Sequence, residues 1–209
     1  MLRLLFFILI ARPLVFIFLG LNVRHAQRMP KAGPAIIVAN HNSHLDTLVL
    51  TTLFPLKLLP SIRPVAAVDY FTKSKTLAWF TTHIINAIFI DRDLTASRDP
   101  LSDVHGALAQ GDIVILYPEG SRGEPERLAT FKGGVARLAK QHPDIPVVPI
   151  FFHGLGKALP KDDWLPVPFF IDVFVGDPIY FSGNRKQFMN VINEQMQGLA
   201  KEGNFPVWD

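Results

Sequence analysis

Gly33-Pro34-Ala35-Ile36-Ile37-Val38-Ala39-Asn40-His41-Asn42-Ser43-His44-Leu45-Asp46 sets the pattern of the chain. A Gly-Pro turn is followed by five apolar residues and then by a polar run. A short, continuous apolar stretch bounded by turn residues reads as a strand buried on both faces. Similar stretches recur at residues 65–68, 88–90, 113–117, 147–152 and 171–175. Longer segments with helical spacing lie between most of them, at 47–59 and at 71–85. Two more are marked by Leu101, Val104, Leu108 and Ala109 and by Val135, Leu138 and Ala139. A last helix is expected over about residues 184–200, with Phe188, Val191, Ile192, Met196 and Leu199 on one face. Strands that alternate with helices predict an α/β fold, a mostly parallel central sheet flanked by helices. With 209 residues, one core serves the whole chain.

In open α/β sheets ligands gather beyond the carboxyl ends of the strands. His41 stands at such an end. Ser43 and Asp46 have the spacing of a capping box for the next helix, with Ser43 at the N-cap and Asp46 in the first turn. Two positions five apart on one ideal helix point about 140° away from each other. With the helix starting at Ser43, however, His41 lies on the incoming chain and can fold back over the first turn. Asp46 then reaches its Nδ1–H and leaves Nε2 free to take a proton, the His–Asp half of a catalytic triad. The same spacing fits a plainer reading, in which Asp46 caps the helix and His41 is a polar loop residue. His44 is an alternative base, although its spacing of two to Asp46 faces it elsewhere.

Two other strand ends carry charge. Residues 113–117 run into Pro118-Glu119-Gly120-Ser121-Arg122-Gly123, a glycine-containing turn with an arginine that suits a phosphate or carboxylate clamp. Phe131-Lys132-Gly133-Gly134 opens another helix, where Lys132 adds positive charge. Residues 88–90 end in Asp91-Arg92-Asp93. Each turn alone also reads as solvated surface. Together they place a base beside two guanidinium groups, an arrangement for an anionic substrate with a nearby hydroxyl.

Composition limits the chemistry. Hydrophobic residues make up 49% of the chain, 17 residues are Phe and mean hydropathy is +0.24. The net charge of +3 leaves no basic stripe for nucleic acid. With no cysteine, disulfides, thiolate metal sites and a cysteine nucleophile are excluded. Residues 4–21 are almost all apolar, interrupted only by Ala11-Arg12-Pro13 and Gly20. The run reads as a membrane-spanning helix, or as a re-entrant or interfacial helix pair broken at Pro13 with Arg12 reaching the headgroups. A buried core helix fits less well, because a segment apolar on all sides needs burial on all sides. Arg24, Arg28 and Lys31 follow the run and suit an anionic, cytoplasmic leaflet. We therefore expect a hydrophobic membrane-anchoring segment at 1–23, a catalytic domain at 24–209 and an active site on the cytoplasmic face of a membrane.

Taken together, the motifs resemble the glycerolipid acyltransferase superfamily, whose best-known members are 1-acylglycerol-3-phosphate acyltransferases. The first motif of that family, H-x4-D, matches His41 to Asp46. The second, F-I-x-R, matches Phe89-Ile90-Asp91-Arg92, and the third, F-P-E-G-T-R, matches Tyr117-Pro118-Glu119-Gly120-Ser121-Arg122. The fourth, V-P-[IV], matches Val148-Pro149-Ile150, and the F-K-x-G that commonly follows the third matches Phe131 to Gly134. The resemblance covers about residues 30–180. Tyr117 and Ser121 replace Phe and Thr, and Asn86-Ala87 stands where a glycine is expected. The resemblance implies a fatty acyl transfer from acyl-CoA or acyl carrier protein, without metal or cofactor, to the free hydroxyl of a lysophospholipid. Lysophosphatidic acid is the first acceptor expected, with glycerol 3-phosphate, a lyso-ornithine lipid or another lysophospholipid as alternatives. His41 and Asp46 are then the catalytic pair, and Arg92, Glu119, Gly120, Ser121, Arg122 and Lys132 bind the acceptor. Two other classes compete: a hydrolase built on Ser43 or Ser121, neither of which lies in a G-x-S-x-G elbow, and a non-catalytic lipid-binding protein.

Overall fold

The structure, a computed structural model, describes residues 1–68, 74–91, 99–120, 123, 128–159, 165 and 167–205. Among these, seven strands form one sheet: β1 Gly20–Arg24, β2 Ala35–Ala39, β3 Ile62–Ala67, β4 Ile88–Ile90, β5 Ile113–Leu116, β6 Val147–His153 and β7 Phe170–Val175. Their order is β1-β7-β6-β2-β5-β3-β4. Five strands, β2 to β6, run parallel, and β7 turns antiparallel to β6 with β1 parallel beside it. The fold is thus α/β with a mostly parallel sheet flanked by helices.

Side chains of successive strand residues point to opposite faces, so each buried strand feeds two cores. On the first face Ala35, Ile37 and Ala39 of β2 and Ile113 and Ile115 of β5 pack with Val49, Leu50 and Phe54. On the second, Ile36, Val38, Val114 and Leu116 pack with Val104, Leu108, Val135, Leu138, Phe188 and Ile192. Helices α1 (Leu2–Phe6) and α2 (Asp46–Thr52) belong to the first face, and α4 (Ser102–Ala109), α5 (Gly134–Gln141) and α7 (Arg185–Glu202) to the second. Short helices α3 (Lys75–Phe80) and α6 (Leu155–Ala158) complete the set. Asn184 caps α7 through a full capping box with Gln187.

The N-terminal run departs most from expectation. Pro13 does not break it: Arg12 and Pro13 both keep helical dihedrals, and α1 continues through wide turns at Phe7–Ala11 and Leu14–Phe18. In those π turns the amide of Leu19 reaches back five residues to the Leu14 carbonyl. Such a turn accommodates a residue without an N–H. Phe7, Ala11, Val15 and Leu19, four apart, are buried in the first core, whereas Leu5, Ile8, Leu9, Phe16 and Ile17 face outward. The helix is therefore a core helix on one side only. Arg12 does not reach outward. Its guanidinium donates to the Phe54 carbonyl at 3.0 Å, and Arg3 donates to the carbonyls of Leu59, Ile62 and Ile85. No described helix is long and apolar enough to cross a membrane.

Gly20–Arg24 was not expected to be a strand, and the division at residue 23 falls inside it. Of the basic trio, Arg28 pairs with Asp177 at 2.8 Å, Arg24 lies over the Phe174 ring, and both Arg24 and Lys31 are exposed. Strand β3 starts three residues before the stretch at 65–68, because Pro64 hides its beginning. The helix expected at 47–59 stops at Thr52 and resumes as a 3₁₀ turn, Leu56–Ser61, beyond Pro55. Of the expected helix at 71–85, residues 71–73 lie outside the described part.

Candidate active site

Strands β2 and β5 are neighbours whose connections leave in opposite directions. The chain after β2 crosses by α2 toward β3, and the chain after β5 crosses by α5 toward β6. This is the topological switch point of the sheet, where a crevice opens beyond the strand ends. Both corners of the crevice carry chemistry.

At the β2 corner, His41 Nδ1 lies 2.9 Å from Asp46 Oδ2. The same oxygen accepts the backbone N–H groups of Asn42 at 2.7 Å and Ser43 at 3.0 Å. A carboxylate only accepts, so Nδ1 carries the hydrogen and Nε2 is left as the basic nitrogen. Asp46 is fully buried, and the His41 side chain keeps 22% of its surface exposed, enough to meet a substrate. The capping box is only half made. The helix begins at Asp46, not Ser43, and the Ser43 hydroxyl accepts from Leu45 N–H and donates to the Leu159 carbonyl. Asp46 makes the half that remains, and the Oδ2 that accepts the Ser43 N–H turns back onto the incoming chain to meet Asn42 and His41. His44 is exposed.

At the β5 corner, the Tyr117 ring stacks on the His41 imidazole, with centroids 4.3 Å apart and planes 22° apart. Glu119 is buried, and its Oε1 accepts the His41 N–H at 3.4 Å. Burial pushes this carboxyl up to about 7; Asp46 pushes the same way, and backbone N–H groups of His41 and Ala129 offset part of the rise. Gly120 adopts φ +79°, a left-handed conformation that disfavours any side chain, and the Lys132 side chain lies against it where a Cβ would stand. The two corners are tied by backbone: Gly123 N–H donates to the His41 carbonyl at 2.9 Å and Lys132 N–H to the Pro118 carbonyl at 2.8 Å. The structure thus brings together His41, Asp46, Glu119, Gly120 and Lys132. Arg92, Ser121 and Arg122 lie outside the described residues.

A family model described as Acyltransferase matches residues 20–153. The chain belongs to the acyltransferase family. Human 1-acyl-sn-glycerol-3-phosphate acyltransferase alpha is 30% identical over 136 residues, which make up 62% of this acyltransferase and 44% of the human protein. The lyso-ornithine lipid O-acyltransferase of Rhizobium meliloti is 29% identical over 136 residues, 61% of this chain and 42% of that protein. The match therefore spans less than half the length of these relatives. The crystal structure of the Thermotoga maritima 1-acyl-sn-glycerophosphate acyltransferase PlsC superposes with a TM-score of 0.75 at 22% identity, covering 95% of this acyltransferase and 78% of that chain. It shares the fold.

Two residues that contact the crevice, Asn40 and Tyr117, are not marked as site residues by the sequence. Asn40 is buried at the end of β2, and its amide bonds both the N–H (2.7 Å) and the carbonyl (2.9 Å) of Phe152, extending the β2–β6 ladder one step to hold His41 in place. An asparagine directly after a β-strand is the only local signal. Tyr117 was noted only as a replacement for Phe. Among the described residues no three His, Asp or Glu side chains stand close enough together to hold a metal ion. An apolar groove of about 540 Å³, lined by Phe16, Val23, Met29, Leu53 and Phe54, contains none of the residues of the crevice.

Proposed function

We propose that this chain transfers a fatty acyl group from acyl-CoA or acyl carrier protein to the free hydroxyl of a lysophospholipid, with 1-acylglycerol 3-phosphate as acceptor and phosphatidic acid as product. The observation that carries the reading is the 2.9 Å bond from His41 Nδ1 to a buried carboxylate at the switch point of the sheet. Membership of the acyltransferase family and the names of its relatives support it. The acceptor hydroxyl approaches Nε2, gives up its proton and attacks the thioester carbonyl carbon. Asp46 stabilises the imidazolium that forms. As the tetrahedral intermediate collapses, the carbon–sulfur bond breaks and the imidazolium returns its proton to the leaving thiolate. In this reading the acceptor's phosphate binds over the β5 corner, at Gly120, Ser121 and Lys132, with Arg92 and Arg122 supplying guanidinium groups.

The outward side of the N-terminal helix belongs to the same proposal. Leu9 is 67% and Ile17 83% exposed, beside Leu4, Leu5, Ile8 and Phe16. Such a face suits the interface of a bilayer, with the helix lying in the plane rather than crossing it. The membrane-anchoring segment is then this helix face, and the protein works on lipids presented at the surface.

One further acceptor has a specific observation in its favour. The lyso-ornithine lipid enzyme matches this chain over the same length at almost the same identity as the human enzyme. A panel separates the two: wild type and His41→Ala are assayed for acylation of lysophosphatidic acid, glycerol 3-phosphate, lyso-ornithine lipid and lysophosphatidylcholine, with each thioester donor. Lysophosphatidic acid should give the highest kcat/KM. His41→Ala should lower kcat by about 10²–10⁴-fold while the protein stays folded. Full activity of His41→Ala would overturn the mechanism, and a preference for lyso-ornithine lipid would reassign the acceptor.

A further inference from the structure

We propose that Tyr117 is a positioning residue for His41: its ring fixes the plane of the imidazole, and its π face favours the imidazolium formed during acyl transfer. The proposal rests on His41 acting as the base.

Strand parity brings the two rings together. Ile113 and Ile115 of β5 and Ala35, Ile37 and Ala39 of β2 all point into the first core. Counting on by two reaches Tyr117 on one strand and His41 on the other, at neighbouring strand ends that pair in parallel register. The rings meet at 4.3 Å and 22°. The Tyr117 hydroxyl is also held, 2.9 Å from Thr47 Oγ1. Thr47 follows Asp46 directly in α2. One helical turn therefore holds both partners of the imidazole, the carboxylate in its plane and the phenol against its face.

The two contacts constrain different motions. The bond to Asp46 fixes Nδ1 but leaves the ring free to swing about the Nδ1–Oδ2 line. A ring stacked on the face removes that swing, and the direction of Nε2 is then set. An aromatic face also attracts a cation more than a neutral ring. The contact therefore strengthens as His41 takes up the acceptor's proton, when a catalytic interaction is most useful. The phenol remains neutral, since burial and then Asp46 raise its ionisation well above the ordinary value of 10. Asp46 bonds the imidazole and Tyr117 stacks on it, Glu119 accepts the His41 backbone N–H, and Lys132 lies over Gly120.

The test compares wild type with Tyr117→Phe, Tyr117→Leu, Tyr117→Met and Thr47→Val. Tyr117→Leu and Tyr117→Met remove the π face, and the methionine fills more of the space should the leucine variant fail to fold. Both should lower kcat by about tenfold with KM for donor and acceptor unchanged, and move the acid limb of the pH–rate profile to lower pH by roughly half a unit. Tyr117→Phe and Thr47→Val keep the face, so they should lose only a few-fold in kcat and leave the limb in place. Titration of the His41 ring protons by NMR reads the same shift without any turnover, so it tests the stacking even if the assigned reaction is wrong. An acid limb and a ring titration that stay put in both Tyr117→Leu and Tyr117→Met, or a loss expressed wholly in KM, would overturn the proposal.

Discussion

The turn after β2 hides a carboxylate, whereas the helix before β1 turns a row of leucines and isoleucines outward. Both arrangements are unfavourable in isolation. At the turn, the protein answers the difficulty internally at one oxygen: Asp46 is dry, and its Oδ2 is met by two backbone N–H groups and an imidazole, while Oδ1 has no partner among the described residues. On the helix, every fourth residue is packed into the core, yet Leu9, Ile10, Phe16 and Ile17 are left exposed. Where the burial is polar, the chain supplies three donors to one carboxylate oxygen; where the exposure is apolar, it supplies no cover. In the proposed function, the contrast separates the part assigned to chemistry from the part assigned to lipid.

The sharpest way to break this contrast is at Asp46. Asp46→Asn keeps the shape but replaces an acceptor with an NH₂ group, so His41 loses the partner that selects its tautomer. By analogy with a triad carboxylate, kcat should fall by roughly 10³–10⁴-fold. A loss below tenfold in a steady-state assay would make Asp46 a helix cap and nothing more.

The helix is tested by treating its two sides differently. Phe7→Ala removes a fully buried ring and should cost about 3–5 kcal/mol in chemical denaturation. Leu9→Ser, two residues on but facing outward, should change stability by no more than about 0.5 kcal/mol. It should nonetheless weaken partition into phosphatidylcholine vesicles by roughly tenfold, the loss of one large apolar side chain from the interface. Equal vesicle binding by Leu9→Ser and wild type would remove the lipid role assigned to that side.

Glu119 gives the smallest effect and sharpens the β5 corner. Its carboxyl sits at about 7 in the folded protein against an ordinary 4.5. The folded state therefore holds this proton more tightly than the unfolded state does. The sign follows: the contribution of Glu119 to stability declines as pH rises from 4.5 to 7 and is level above that. Glu119→Gln mimics the protonated form and should not show the decline. Between pH 5 and pH 8, the Tm of wild type should fall a few degrees relative to the variant. A constant difference between the two proteins would mean that Glu119 ionises as readily folded as unfolded.

What could be read from the sequence depended on how far apart the partners lie along the chain. His41 and Asp46 are five residues apart, and the apolar run that ends at Ala39 is local, so both the strand and the corner were visible. Strand β1 was not. Its alternation, Leu21 and Val23 against Gly20, Asn22 and Arg24, is a genuine period-two signal, but it follows directly on a longer apolar run and its partner is β7. The run at 4–21 is apolar on nearly all sides, broken by Arg12. Only the core it packs against distinguishes Phe7, Ala11 and Val15 from their neighbours. The stacking of Tyr117 on His41 depends on the register of two strands whose residues lie more than 70 positions apart, and the bond from Asn40 to Phe152 spans 112.

Strand β1 also sets an order of events during synthesis. Asn22 bonds to Asp172, 150 residues further along the chain. Strand β1 therefore has to wait for β7 before it has its neighbour in the sheet. At about 5–20 residues per second that wait is roughly 8–30 s. Throughout it the helix preceding β1 lacks most of the core that will cover Phe7, Ala11 and Val15. Both of its sides are then greasy, and a bilayer or a chaperone can hold the nascent chain by the very segment that later keeps only one side free.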